Sequence, residues 1–349
     1  MRAILSILAW SLALARLGSQ THGTDAETTS VSFDLHLLHQ LHIPRIGLGT
    51  AALAGRGASV VHIALKAGVL LIDTAQATEW YAEEDVGRGI AEYHRELLEN
   101  VKQQPHEVSA QSSLADLVVV TKVHPRSFRE DRLREMVERS RALLYDAWQP
   151  DRDHLDVVLL HSPYCWQGHC SKEEESHSWQ NAWRALERLK EEGRVKAIGV
   201  SNFDYAQLTE LEGMANSKVS VVQNWMDPFN QDKRVRDFCR LHGMTYMAYS
   251  SMGTQWEGHA QSSGGNPILN NPTLLGIAAA HGTSVAAVVT SWLLQEGVVG
   301  IPRASSEAHI EENAFTGRRL PNGNLPVFLS SPDMAAIRSL DGKMGTPWD

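Results

Sequence analysis

The chain has 349 residues, 43% of them hydrophobic and only 7% aromatic, with 41 acidic against 32 basic side chains and a formal net charge of -9. That is enough apolar material for one large core, and barrels of this size are commonly one domain. The negative balance, with Lys and Arg scattered over helix faces, argues against nucleic acid or an anionic membrane as the main partner, because both call for clustered basic residues.

Met1-Arg2, the apolar AILSILAWSL and then Ala13-Leu14-Ala15 give a positive start, an apolar segment and an A-x-A pattern. This predicts a signal or targeting peptide over about residues 1–23, leading to the secretory pathway or an organelle. An apolar anchor helix is the weaker reading, because Arg16 interrupts the run well short of the ~20 residues that span a bilayer. A cytoplasmic location stays open, since no N-x-S/T site with a permitted middle residue supports export.

Beyond this segment, apolar runs alternate with helical patterns. IGLG at 46–49 precedes a helix near 58–67, VLLID at 69–73 one near 83–97, and LVVVTKV at 117–123 one near 129–147. LDVVLLH at 155–161 precedes a helix near 178–192, VKAIGV at 195–200 one near 204–214, and VSVVQN at 219–224 one near 232–241. MTYMAYS at 244–250 and VVGIPRA at 298–304 complete eight strands, the last followed by a helix near 306–315. The Gly, Ser and Asn-rich stretch at 257–271 reads as a long loop, and PDMAAIRSL as a final helix. Buried parallel strands in repeated βα units give this pattern, and eight units close a (β/α)8 TIM barrel.

Five of these strands run into polar residues: Asp73, Lys122, His161, Ser201 with Asn202, and Gln223. In such a barrel the reacting groups sit where strands end, so these residues read as an active site. A competing reading begins at Gly47-Leu48-Gly49-Thr50-Ala51-Ala52, which fits G-x-G-x-x-A with Asp73 at about the expected ~20-residue interval of a Rossmann fingerprint. A doubly wound sheet would not require later strand ends to be polar, so the barrel uses more of the chain.

Cys165 and Cys170, in PYCWQGHCSKEEE, are close enough in sequence for a disulfide in an oxidising compartment. A zinc reading would recruit His161 or His169, but the chain lacks a second Cys/His pair at suitable spacing, so no metal is expected. Cys239 reads as a buried small side chain.

IPRIGLGTAAL, LLIDTAQ with EEDVGRGI, VVVTKV, DVVLLHSP, GRVKAIGVSNF, VVQN with DPF, and MAYSSMG resemble, in order, the signatures of the aldo-keto reductases. The resemblance covers roughly residues 32–341 as a single domain, followed by a short tail at 342–349. It implies a (β/α)8 barrel with an N-terminal β-hairpin, working as a monomer, that binds NADPH in an extended pose and reduces a small aldehyde or ketone.

Carbonyl reduction needs a hydride donor, which no side chain supplies, and an acid for the developing alkoxide. By resemblance the catalytic residues are Asp73, Lys122, His161 and a tyrosine. A free Tyr, with a pKa of ~10, needs a neighbouring cation, so Lys122, held by Asp73, is expected to stabilise the phenolate. His161 would orient the carbonyl and share proton donation. The tyrosine departs from the pattern: counting five residues from Asp73 reaches Thr78, and counting seven back from Gly87 reaches Trp80. The segment is about two residues longer, and Tyr81 is the nearby phenol. A displaced tyrosine leaves open an alternative, an NADPH-binding, redox-sensing barrel with little or no turnover.

The resemblance assigns Ser201, Asn202 and Gln223 to the nicotinamide carboxamide, Tyr249 to stacking on its ring, and Ser250, Met252 and Gly253 to the start of a loop over the pyrophosphate. Arg303 falls where the family grips the 2′-phosphate and Glu312 and Asn313 where it holds adenine, while Ala304 and His309 stand at positions usually Ser and Arg. NADPH is expected over NADH on Arg303. Trp80, Trp225 and Trp166 would face the pocket and favour an apolar or aromatic carbonyl.

Overall fold

The computed structural model describes residues 42–103, 114–256 and 265–345. The segment at 1–23 lies outside them, as do residues 104–113, 257–264 and 346–349.

Eight strands run parallel in sequential order. They are β1 (Leu48–Gly49), β2 (Leu71–Asp73), β3 (Val118–Val123), β4 (Leu155–Leu160), β5 (Val195–Ser201), β6 (Val221–Trp225), β7 (Thr245–Tyr249) and β8 (Val299–Gly300). The ring closes where Gly47 N donates to the Gly300 carbonyl at 2.8 Å and Gly300 N to that of Arg45 at 3.0 Å. Among the described strands the order never reverses, so there is no switch point for a dinucleotide crevice to occupy, which rules out the Rossmann reading. The fingerprint glycines serve packing instead: a Cβ on Gly47 would lie 2.7 Å from Leu71 Cγ, and one on Gly49 2.9 Å from the Ile301 carbonyl oxygen. β1 and β2 pair parallel, so they are not the expected N-terminal hairpin, which is not found among the described residues.

The helices are α1 (Gly57–Lys66), α2 (Glu83–Gln103), α3 (Glu130–Tyr145), α4 (Lys172–Glu175), α5 (Trp179–Glu191), α6 (Tyr205–Met214), α7 (Lys233–Leu241), α8 (Pro272–His281), α9 (Val285–Gln295), α10 (Glu307–Gly317) and α11 (Ser331–Arg338). Those expected from periodicity are present. The sequence reading missed the pair α8 and α9 between β7 and β8. Asn271 caps α8 by accepting from Thr273 N and Leu274 N, Pro272 opens it, and Gly282 ends it at φ 61°, so its boundaries were visible as Asn-Pro and His-Gly. No single helix among the described residues is long and apolar enough to cross a membrane.

Strand alternation divides the core in two. On β3, Val118, Val120 and Lys122 point inward, while Val119, Thr121 and Val123 face the helices. Leu71, Val157, Leu159, Val221, Met247 and Ile301 fill the interior, and the outward residues join a larger layer under the helices. Each such side chain contributes about 1.5–3 kcal/mol by leaving water. Interior filling is tight at Gly199, where any Cβ would collide with the Val221 carbonyl. The same parity that stacks valines below places polar residues in the top layer, at the C-terminal ends.

Candidate active site

The floor is a buried ion pair. Lys122 Nζ donates to Asp73 Oδ2 at 2.7 Å and to the Thr74 carbonyl at 2.8 Å, with the two side chains 0% and 3% exposed. Gln223 Nε2 donates to the other Asp73 oxygen at 2.7 Å, so both carboxylate oxygens are engaged from opposite sides of the barrel. Burial pushes the Lys122 ammonium below its ordinary value, and Asp73, then Glu83, resist that shift. Burial likewise raises Asp73, opposed by Lys122 and Gln223. Neither group would keep its charge at this depth without the other.

Tyr81 lies over this pair. Lys122 Nζ is 5.0 Å from its ring centroid, and the ring meets that of His161 edge-on at 5.8 Å. The longer segment after β2 is taken up by a turn in which the Ala77 carbonyl accepts from both Trp80 N and Tyr81 N, while the Trp80 carbonyl ties back to Ala52 N at 2.7 Å. Glu83, two residues on, is buried and pinned by Thr121 Oγ1 at 2.5 Å and Ser140 Oγ at 3.0 Å, which fixes the segment's far end. Burial, and after it the Asp73 charge, hold the Tyr81 phenol above its ordinary value. His161 is pushed far below the ordinary imidazole value by burial, then by Lys122 and His124. Its Nδ1 is buried with no hydrogen-bond partner among the described residues.

A cavity of about 700 Å³ opens above, lined by Asp73, Trp80, Tyr81, His161, Trp166, Ser201, Asn202, Gln223, Tyr249, Ser250, Met252 and Arg303. Asn202 turns at φ 60° and Ser250 at φ 55°, conformations that cost free energy and cluster at functional sites. Asn202 Nδ2 donates to the His161 carbonyl at 2.8 Å and to Ser201 Oγ at 3.2 Å, and its Oδ1 accepts the Tyr249 hydroxyl at 2.6 Å. Gln223 keeps its carbonyl oxygen for a donor in the cavity, since Nε2 is taken by Asp73. This wall offers the acceptors and donors that a carboxamide needs, beside an aromatic ring and one exposed cation, Arg303. A nicotinamide nucleotide fits that set of groups.

Three expected contacts fall elsewhere. Trp225 does not line the cavity, because its Nε1 donates to the buried Asp227 at 2.9 Å and its ring packs on Trp256. Glu312 and Asn313 sit on α10 outside this cavity, Asn313 buried and Glu312 half-buried. Trp166, by contrast, stands in the wall, with its ring 4.9 Å from His161, 5.2 Å from His124 and 5.3 Å from Trp80. Cys165 and Cys170 form a disulfide around it, so the thiolates a zinc site would use are consumed. Sequence reasoning missed His124, which Arg126 N contacts at Nδ1 and whose imidazole burial lowers to about 4. It also missed Asp227, which accepts from the indoles of Trp225 and Trp256 and from Phe229 N and Asn230 N. Only the proximity of Trp to Asp in NWMDPF hinted at it.

Comparison with known proteins agrees with this geometry. The sequence profile of the Aldo/keto reductase family matches residues 45–322. The chain belongs to the aldo/keto reductase family. It is 32% identical over 279 residues to a 9,11-endoperoxide prostaglandin H2 reductase of Trypanosoma cruzi, covering 79% of this chain and 83% of that protein. It is 29% identical to an NAD(P)H-dependent D-xylose reductase of Scheffersomyces stipitis, covering 83% and 88%. Its fold is similar to that of a Bombyx mori aldo-keto reductase solved with NADP, at a TM-score of 0.67 and 24% identity over 86% of this chain and 90% of that one. This aldo/keto reductase is thus an NAD(P)H-dependent oxidoreductase acting on carbonyl compounds.

Proposed function

We propose that this reductase uses Tyr81 as the proton donor, with Lys122 beneath it, Asp73 and Gln223 holding Lys122, and His161 orienting the carbonyl. The observation that carries the reading is the placement of the Tyr81 ring, 5.0 Å from Lys122 Nζ and 5.8 Å from the His161 ring, in the cavity wall. Bound NADPH supplies the hydride. His161 is neutral near neutral pH because its pKa is so depressed, so imidazolium is scarce and the ring serves as a neutral hydrogen-bonding group. Tyr81 is fully protonated under the same conditions and ready to donate. As its proton leaves, the phenolate forms beside the Lys122 ammonium, an interaction stronger in the transition state than before it.

Ser201, Asn202 and Gln223 would hold the carboxamide, Tyr249 the nicotinamide face, and Ser250 and Met252 the start of the pyrophosphate loop. Arg303 would hold the 2′-phosphate and make NADPH the preferred cofactor; it lines the cavity and has no ion pair among the described residues. Glu312 and Asn313 would serve adenine further along. Trp80 and Trp166 favour an apolar or aromatic carbonyl. The non-catalytic alternative rested on a displaced tyrosine; the turn at Ala77, which takes up the longer segment ahead of Tyr81, favours the catalytic reading over it.

We also propose a monomer, free of the membrane after processing, in an oxidising compartment. The N-terminal pattern and the Cys165–Cys170 disulfide support the compartment, and the family resemblance supports the monomer. The test is loss of NADPH absorbance with a panel of aldehydes. Tight NADPH binding without oxidation of any of them would restore the binding-protein reading.

A further inference from the structure

The loop after β4 is a small covalent ring. Cys165 and Cys170 close it with their Cα atoms 6.0 Å apart, and inside it His169 N donates to the Trp166 carbonyl at 3.0 Å while Gly168 turns at φ 80°. Gln167 and Gly168 are exposed, so little buried apolar surface holds the ring in place. Its order rests on the disulfide and on what Trp166 and His169 touch.

The aromatic contacts of Trp166 and His169 reach the cavity walls. The Trp166 ring meets His161 at 4.9 Å and 79°, and Trp80 at 5.3 Å and 84°. His169 lies against Trp80 at 5.2 Å and its Nδ1 is 3.6 Å from Glu79, which also pairs with Arg126. Trp80 is the residue before Tyr81. The ring of six residues therefore braces two walls of the cavity together, one from the loop after β4 and one from the loop after β2.

We propose that the Cys165–Cys170 disulfide determines substrate specificity: closed, it holds Trp166 and Trp80 as a rigid aromatic slot beside His161; opened by a dithiol, it releases Trp166 and weakens binding of aromatic aldehydes in particular. The proposal rests on the reductase reading above. In the opening step the dithiol gives two electrons and two protons, the S–S bond breaks, two S–H groups form on Cys165 and Cys170, and the reagent becomes a cyclic disulfide. Small aliphatic aldehydes do not span the slot and are indifferent to its state. NADPH binding is also unaffected, because the residues assigned to it lie on β5 to β7, the loops after β5 to β8 and α10.

The experiment compares benzaldehyde and acetaldehyde as substrates of the whole protein before and after dithiothreitol treatment, with alkylation and mass measurement to count new thiols. Cys239 is buried, so the two thiols that appear on reducing the native protein belong to the ring. Edge-on aromatic contacts are worth ~0.5–1.5 kcal/mol, so KM for benzaldehyde should rise about two- to tenfold, with kcat/KM for acetaldehyde and the Kd of NADPH unchanged. The double variant Cys165→Ser, Cys170→Ser should show the raised KM without treatment and no response to it. Trp166→Ala should raise the same KM with the disulfide intact. An unchanged KM for benzaldehyde in protein shown to carry both new thiols would overturn the proposal, as would an equal loss for acetaldehyde. Absence of turnover with every aldehyde in untreated protein would instead refute the reductase reading.

Discussion

Lys122→Met is the substitution whose consequences the structure defines most sharply, because it removes a fully buried ammonium and leaves its partner in place. If the lysine stabilises the Tyr81 phenolate, its loss forfeits much of the general acid contribution, about 10²–10⁴-fold or roughly 2.7–5.5 kcal/mol of barrier. It also breaks a buried ion pair, which typically costs ~3–5 kcal/mol because the remaining charge is uncompensated. Asp73 keeps one donor, Gln223 Nε2 at 2.7 Å, and it can take up a proton, so the stability loss should sit toward the lower end of that range. Rate and stability are therefore affected on a similar scale.

The two effects separate by pH. Without the ammonium the folded-state pKa of Asp73, already raised by burial, rises further. A raised carboxylate contributes stability that is present below its unfolded value of ~3.9 and is lost as pH rises through the folded value. The deficit of Lys122→Met relative to wild type should be small in acid and grow toward neutrality, by ~1.4 kcal/mol for every further tenfold tightening of the proton on folded Asp73. Urea unfolding at about pH 5 and about pH 8 measures this, and aldehyde turnover and NADPH fluorescence measure the rest. Turnover close to wild type would sink the assignment of Lys122, and a deficit that stays flat with pH would show that Asp73 is not the charge left behind.

Tyr81→Phe deletes one oxygen and should lower aldehyde reduction by ~10²-fold or more with the Kd of NADPH nearly unchanged; full activity would move proton donation elsewhere. Arg303→Ala should weaken NADPH by ~1.5–3 kcal/mol and leave NADH as it was, measured by fluorescence titration, whereas an equal loss for both would place Arg303 at the pyrophosphate. Asp227 is raised by burial to about 6, so it contributes stability below the ordinary carboxylate value that disappears as pH rises through about 6. Asp227→Asn should flatten that part of the curve of unfolding free energy against pH, and an unchanged slope would be the contrary result.

How much of this was legible follows from strand geometry. Once the strands are placed, a period of two puts Lys122 above Val120 and Gln223 above Val221, both inward, so the floor of the site could be read without coordinates. Trp225 has the same inward parity, yet it ends β6, where Asp227 draws its indole away from the cavity. Parity says nothing beyond a strand's last residue. Tyr81, Trp166 and His124 lie on loops, where a turn, a disulfide and a cap decide orientation, and the two extra residues before Tyr81 could be absorbed on either side of it. α8 and α9 were missed for a different reason: a polar, glycine-rich loop drew attention from the Asn-Pro start just after it.

The electrostatics of Tyr81 depend on what holds Lys122, which the sequence alone does not show. A lysine near a phenol suggests a lowered pKa, but this lysine is bound to a carboxylate at 2.7 Å, and the pair acts on the resting tyrosine as a dipole rather than a cation. Burial dominates and Asp73 adds to it, so the phenol stays protonated. That is useful for an acid that must hold its proton until hydride arrives. The benefit of Lys122 appears when charge develops on the phenol oxygen, which is the condition for raising the rate rather than tightening ground-state binding. The same reasoning makes Asp73→Asn informative in the opposite sense: with the counter-charge gone, Lys122 loses the carboxylate that opposes the burial shift of its pKa, so it becomes neutral more easily and turnover should fall although the lysine is still present. Turnover that rises in Asp73→Asn would mean that the carboxylate's direct repulsion of the phenolate outweighs its hold on Lys122.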